Sequence, residues 1–123
     1  MFHKNKEKLE SFIGLNSNFK GDINTGGTLR IDGSMDGNVN ADWVILSEKA
    51  HFKGDIIAKG IIIGGRIEGN LRAEEIVEIK SKGQVFGDIF ANKLSIVEGG
   101  IFNGRASVER DESKVVELQA KKK

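Results

Sequence analysis

A short pattern of small, any, apolar, any, Gly, any, apolar recurs six times in this chain, and it restricts the possible folds more than any other feature. It reads Ser17-Asn18-Phe19-Lys20-Gly21-Asp22-Ile23, then Gly33-Ser34-Met35-Asp36-Gly37-Asn38-Val39 and Ala50-His51-Phe52-Lys53-Gly54-Asp55-Ile56. The remaining copies are Gly65-Arg66-Ile67-Glu68-Gly69-Asn70-Leu71, Gly83-Gln84-Val85-Phe86-Gly87-Asp88-Ile89 and Gly100-Ile101-Phe102-Asn103-Gly104-Arg105-Ala106. Their central glycines stand at 21, 37, 54, 69, 87 and 104, so the steps are 16, 17, 15, 18 and 17 residues. Self-similarity at such a period marks an architecture of stacked units, each too small to bury its apolar face alone.

Apolar residues within each copy are two apart, and so are the pairs between copies: Leu29/Ile31, Val44/Leu46, Ile61/Ile63, Val77/Ile79 and Leu94/Ile96. A spacing of two puts side chains on one face of a strand, not of a helix. Three short strands per repeat, coiling so that equivalent residues stack, predict a triangular β-helix of about six windings about 4.8 Å apart. The small residues Thr25, Ala41, Ala58, Ala73 and Ala91 fit the narrowest part of its lumen. Variable step length belongs at the corners: two residues separate Ala41 from Val44, three separate Ala73 from Val77. Proline would delete a ladder donor, and the chain has none.

Alternate positions face outward and are mostly polar, for example Lys20, Asp22, Arg30, Asp36, Glu68, Glu78 and Asp88. Ile45, Ile57, Ile62, Phe86 and Phe90 depart from that rule, as apolar contact patches or as isolated exposed residues of no consequence. The Asp and Asn residues after the repeat glycines (22, 38, 55, 70 and 88) are expected to form a solvated outer column that deters sideways aggregation.

A coiled ladder has two ends whose backbone groups lack partners, and native proteins usually blunt such edges. No strong cap is visible at either end. The first winding holds Phe12, Ile13, Leu15 and Phe19, and the last holds Ile101 and Phe102. Phe12, Ile13, Phe19, Ile101 and Phe102 are therefore the candidate polymerisation interface. Two outcomes stay open on physics alone: rods stack through these ends, or the flanking tails fold over them.

Composition excludes much chemistry. With no Cys and only His3 and His51, a transition-metal site is not expected, and His51 sits in an outward phase. There is no GxxxxGK[ST] loop, and Gly64-Gly65-Arg66-Ile67-Glu68-Gly69 lacks the GxGxxG spacing, so no nucleotide or other cofactor is expected. The Gly-Gly-x-Gly-x-Asp calcium repeat is also absent. No catalytic residue is identified. Net charge is +1 without a concentrated basic face, which argues against nucleic acid as a partner. No apolar run approaches the ~20 residues that span a bilayer, and no signal peptide is seen, so cytoplasm is the expected compartment.

The repeat from about Phe12 to Gly104 resembles the bactofilin family. Phe19-Lys20-Gly21-Asp22-Ile23, Leu29-Arg30-Ile31-Asp32-Gly33, Val77-Glu78-Ile79 and Val85-Phe86-Gly87-Asp88-Ile89 carry the resemblance in order and at this period. It implies an all-β, right-handed triangular β-helix over residues 11–106, flanked by a flexible N-terminal tail (1–10) and a flexible charged C-terminal tail (107–123). It also implies homopolymeric, nucleotide-independent filaments built by end-to-end stacking. A cytoskeletal scaffold at the inner face of the cytoplasmic membrane is the implied role, organising cell shape, cell-wall enzymes or polar proteins. Met1-Phe2-His3-Lys4-Asn5-Lys6 looks like the family's membrane peptide. Phe2 would insert while Lys4, Lys6 and Lys8 meet anionic lipid, at about 1 kcal/mol per basic residue. Glu7 and Glu10 oppose this, and one aromatic anchor is marginal without the avidity of a filament. The tails lack the proline common among members and are short.

The alternative from another class is an enzyme, the left-handed β-helix of hexapeptide acyltransferases. Its windings keep a six-residue register and require steps of 18, whereas here they run from 15 to 18.

Overall fold

The computed structural model describes residues 9–108 and 114–118. Strands wind in order around three sides. The first winding is β1 (Leu9–Ile13), β2 (Asn18–Lys20) and β3 (Ile23–Asn24), and the second is β4 (Thr28–Ile31), β5 (Ser34–Asp36) and β6 (Val39–Asn40). β7 (Trp43–Leu46) and β8 (His51–Lys53) begin the third, and β9 (Ile56–Ile63) closes it and bends into the fourth. β10 (Arg66–Glu68), β11 (Leu71–Ile79), β12 (Gln84–Ala91), β13 (Lys93–Ile96) and β14 (Ile101–Val108) complete six windings, and β15 (Lys114–Leu118) follows. Every winding pairs in parallel with its neighbours, as the repeat requires. The expected parallel β-helix of about six windings is what forms.

The core is a set of inward columns. Leu29, Val44, Ile61, Val77 and Leu94 stack in register on one side. Met35, Phe52, Ile67, Val85 and Phe102 stack on the second. Val39, Ile56, Leu71, Ile89 and Ala106 stack on the third. Apart from Leu94, all of these are at most 4% exposed. Each large aliphatic or aromatic side chain so buried contributes about 1.5–3 kcal/mol. Ala41, Ala58, Ala73 and Ala91 fill a tight column beside them, each at most 6% exposed.

Length variation is absorbed at a corner. The pairing of β11 with β9 shifts between Ala73 and Ile76, so Glu74 and Glu75 bulge outward where the preceding winding has Lys59 alone. The inward register resumes at Val77.

The repeat glycines make the sharpest corner. Gly54 has φ +133°, and a Cβ there would overlap the carbonyl oxygen of Gly37 one winding earlier. The same relation holds from Gly37 to Gly104, so only glycine fits the column.

The column of Asp and Asn after these glycines bonds the windings together and is more than a solvated ladder. Backbone N–H groups of Asn38, Asp55 and Asn70 donate to Asp22 Oδ1 (3.0 Å), Asn38 Oδ1 (3.3 Å) and Asp55 Oδ1 (3.2 Å). The peptide N–H after Gly37, Gly54 and Gly69 points back along the axis, and a short side-chain oxygen of the preceding winding accepts it.

The described chain continues past the sixth winding. β14 runs on to Val108, and β15 pairs antiparallel with it, Gly104 against Leu118 through Val108 against Lys114. Val115 and Val116 are β-branched residues suited to a strand. At the other end, β1 begins at Leu9, two residues before the expected boundary.

Candidate functional site

Parallel pairing leaves the two ends unlike. At the N-terminal end, β1, β2 and β3 pair only toward β4, β5 and β6, so among the described residues their outer edges are open. At the C-terminal end β13 pairs only with β11, and the Ile101–Asn103 part of β14 pairs only with β12. The Gly104–Val108 part is covered by β15. Of the two outcomes left open by the sequence, a flanking segment folding over the end is met for one third of the last winding and open edges for the rest. The alternating signs of the C-terminal residues concealed a strand.

The five candidate interface residues separate by phase. Ile13, Phe19 and Phe102 point inward. Ile13 (7% exposed) stacks over Ile31, Phe19 lies half-buried over Met35, and Phe102 (4%) closes the column above Val85. Phe12 (55%) and Ile101 point outward, beside Arg30 and Gln84 respectively. Phe12 therefore belongs to a lateral face of the rod, and Phe102 is a core residue more than a presented one.

The apolar surface actually offered by the ends lies elsewhere. Ile96 occupies an inward position, paired with Ile79, but is 39% exposed because no further strand covers it. Val97 beside it is 38% exposed, and Leu94 is half-buried. At the opposite end Ile23 is half-buried over Val39, and Leu15 is 55% exposed. Ile23, in the first copy, and the pair Leu94/Ile96 were visible in the sequence as inward positions, whereas Leu15 and Val97 fall outside the repeat pattern. Their exposure follows from place in the stack, which composition does not reveal.

Outward aromatics on the other sides are covered by cations. The Arg66 guanidinium lies 4.4 Å from the Phe86 ring centroid, and that of Arg72 lies 4.8 Å from Phe90. A cation over an aromatic face is attracted by its quadrupole and shields it from water. Lys20, Asp36, Lys53 and Glu68 form an outward file that alternates in sign on the second side, as neighbours across a ladder should. His51 is exposed on that side, as its phase indicated.

Phe2, Lys4, Lys6 and Lys8 lie outside the described residues. Among the described residues no group of three His, Cys, Asp or Glu is placed to hold a metal ion. No helix among them is long and apolar enough to cross a membrane.

A parallel solenoid that exposes open ladder edges and apolar rungs at its ends is a unit suited to stacking. Residues 11–107 match the family Bactofilin, described as polymer-forming cytoskeletal. This chain belongs to the bactofilins. It is 30% identical to bactofilin BacO of Myxococcus xanthus over 106 residues, covering 81% of this chain and 80% of that one. It is 31% identical to bactofilin BacP of the same organism over 81 residues, covering 65% of this chain but only 34% of that longer protein. Its fold superposes on the Thermus thermophilus bactofilin solved by cryo-EM as double helical filaments, with a TM-score of 0.71 and 20% identity over 80% of this chain and 99% of that one.

Proposed function

We propose that this bactofilin assembles end to end, through its terminal windings, into filaments that need no bound nucleotide and serve as a scaffold. The observation that carries this is the pair of open ladder edges set over inward-phase residues that the fold leaves incompletely covered, half-buried Ile23 at one end and exposed Ile96 at the other. Stacking a second copy on either end would satisfy those backbone groups and bury that apolar surface together, with no chemical step. The double helical form of the Thermus filaments supports a side-to-side contact in addition.

The scaffold lies at the inner face of the cytoplasmic membrane, held by Phe2 with Lys4, Lys6 and Lys8 repeated along the filament. From there it organises cell shape, cell-wall enzymes or polar proteins. Multiplying a weak anchor along a polymer is what makes a single aromatic sufficient.

Negative-stain microscopy of the purified chain in nucleotide-free buffer tests the assembly. Filaments are expected; a monodisperse monomer at high concentration would overturn the reading.

A further inference from the structure

Two sides of the rod carry outward apolar residues: the third holds Ile57 and Phe90 on either side of Arg72, and the first holds Ile45 and Ile62 side by side. On the sheet formed by β1, β4, β7, the second half of β9, the second half of β11 and β13, an outward file runs Arg30, Ile45, Ile62, Glu78 in register. Ile45 and Ile62 are half-buried neighbours on consecutive windings. Trp43 widens this apolar centre. It pairs with Gly60, where a Cβ would overlap the indole, so the ring lies flat on the sheet. The file continues to Phe12 beyond Arg30 and to Ser95 beyond Glu78, so its four central positions are apolar in the middle, flanked by a positive residue on one side and a negative one on the other.

We propose that this side is a lateral seam that takes a second copy of the same chain, turned by a half rotation about an axis parallel to the strands. This inference rests on the filament reading. The rotation reverses the rod axis but keeps the strand direction. It sets Ile45 opposite Ile62 of the second copy and Arg30 opposite Glu78. Each charge already has a partner of opposite sign on its own chain: Arg30 Nε is 2.9 Å from Asp32, and Lys80 Nζ is 3.1 Å from Glu78. Asp32 and Lys80 stand on one further column, bonded to the windings through Asp32 N–H to Ile13 and Lys80 N–H to Ile63. The same rotation puts them opposite one another too, so the two ion pairs meet as a closed four-membered set. A copy with its axis parallel and centred on the same file would instead set Arg30 against Arg30 and Glu78 against Glu78. Charge complementarity selects the reversed copy.

Size decides when the seam forms. Four windings about 4.8 Å apart and four residues of about 3.3 Å give a patch of roughly 250 Å². Stable pairs of free proteins bury about 800 Å² on each partner. One copy is too small to pair alone, but a row of copies held in a filament multiplies the contact. The seam therefore joins filaments rather than free subunits.

The test is the width of filaments of the full chain, scored by negative-stain microscopy as single or paired. Arg30→Glu alone and Glu78→Arg alone should each reduce paired segments by about tenfold or more, because like charges then face each other across the seam. The double exchange Arg30→Glu with Glu78→Arg should restore pairing. Pairing unchanged in the single variants, or absent in the double, overturns the proposal. So does an Ile45→Ser/Ile62→Ser variant that pairs normally yet no longer floats with phosphatidylglycerol vesicles, because the side then faces lipid. If the parent chain forms single filaments only, the seam is wrong and end-to-end stacking stands. If it forms none, stacking itself fails and the seam, which depends on a row of copies, falls with it.

Discussion

The carbonyl oxygen of Gly37 occupies the space into which a side chain on Gly54 would project. The windings approach so closely there that the backbone of one replaces the Cβ of the next, at a φ that L residues rarely adopt. Gly54→Ala should therefore lose about 2–4 kcal/mol, combining left-handed strain with displaced backbone. Gly21 has a similar φ (+137°), but a Cβ on it would meet only the Phe19 ring, at 3.6 Å. Gly21→Ala should lose about 1–2 kcal/mol, the strain alone. Thermal unfolding followed by circular dichroism compares the two, and equal losses would contradict this account of the column.

Asp22, Asn38, Asp55, Asn70 and Asp88 alternate charged and neutral side chains along one outward file. The alternation keeps carboxylates two windings apart while preserving an acceptor at each level. Asn70→Asp retains the acceptor but places a carboxylate between Asp55 and Asp88. It should cost about 0.5–2 kcal/mol at low salt, and much of that should return at about 1 M salt, where the screening length is about 3 Å. Urea unfolding at two salt concentrations measures it; a loss independent of salt would rule out charge as the cause.

Ile96 and Phe102 distinguish assembly from folding. Ile96→Arg puts a charge on a surface 39% exposed, so the subunit should stay folded while losing filaments from pelleting assays. Phe102→Arg buries a guanidinium at a site 4% exposed and should destabilise the last winding by about 3 kcal/mol or more as well. An Ile96→Arg protein that pellets normally would remove the C-terminal winding from the interface, and a Phe102→Arg protein as stable as the parent would contradict the burial of Phe102.

Deleting residues 2–8 removes Phe2, Lys4, Lys6 and Lys8 together. Filaments should form as before, while co-sedimentation with anionic vesicles should fall at least about tenfold. Vesicle binding equal to that of the full chain would move the membrane contact to another surface.

The strands and the inward columns were legible because period-two spacing and stacked glycines impose one geometry on any chain that repeats them. The extra residue between Ala73 and Val77 even located the bulge at Glu74 and Glu75. Less legible was anything that depends on what lies one winding away. Phe12 and Ile13 are adjacent in sequence and equally apolar, yet one faces solvent and the other the lumen. The bonds made by the oxygens of Asp22, Asn38 and Asp55 appear only once the glycine corners turn the following N–H groups along the axis. Phe86 looks like an open apolar patch until Arg66 is seen lying over it, whereas Phe90 keeps 42% of its surface exposed even with Arg72 beside it. Ile45 and Ile62 acquire meaning through their register with Arg30 and Glu78. β15 went unseen because Lys114, Glu117 and the charges before them masked the two valines at its centre.

The strand that closes part of the last winding has a kinetic consequence. If subunits stack through both ends as proposed, a contact through Gly104–Val108 first requires release of β15, so the two tips of that polymer would accept subunits at different rates. Such a polymer would then hold a threshold in its own covalent sequence. That threshold would be tuned by whatever strengthens or weakens five residues of antiparallel pairing.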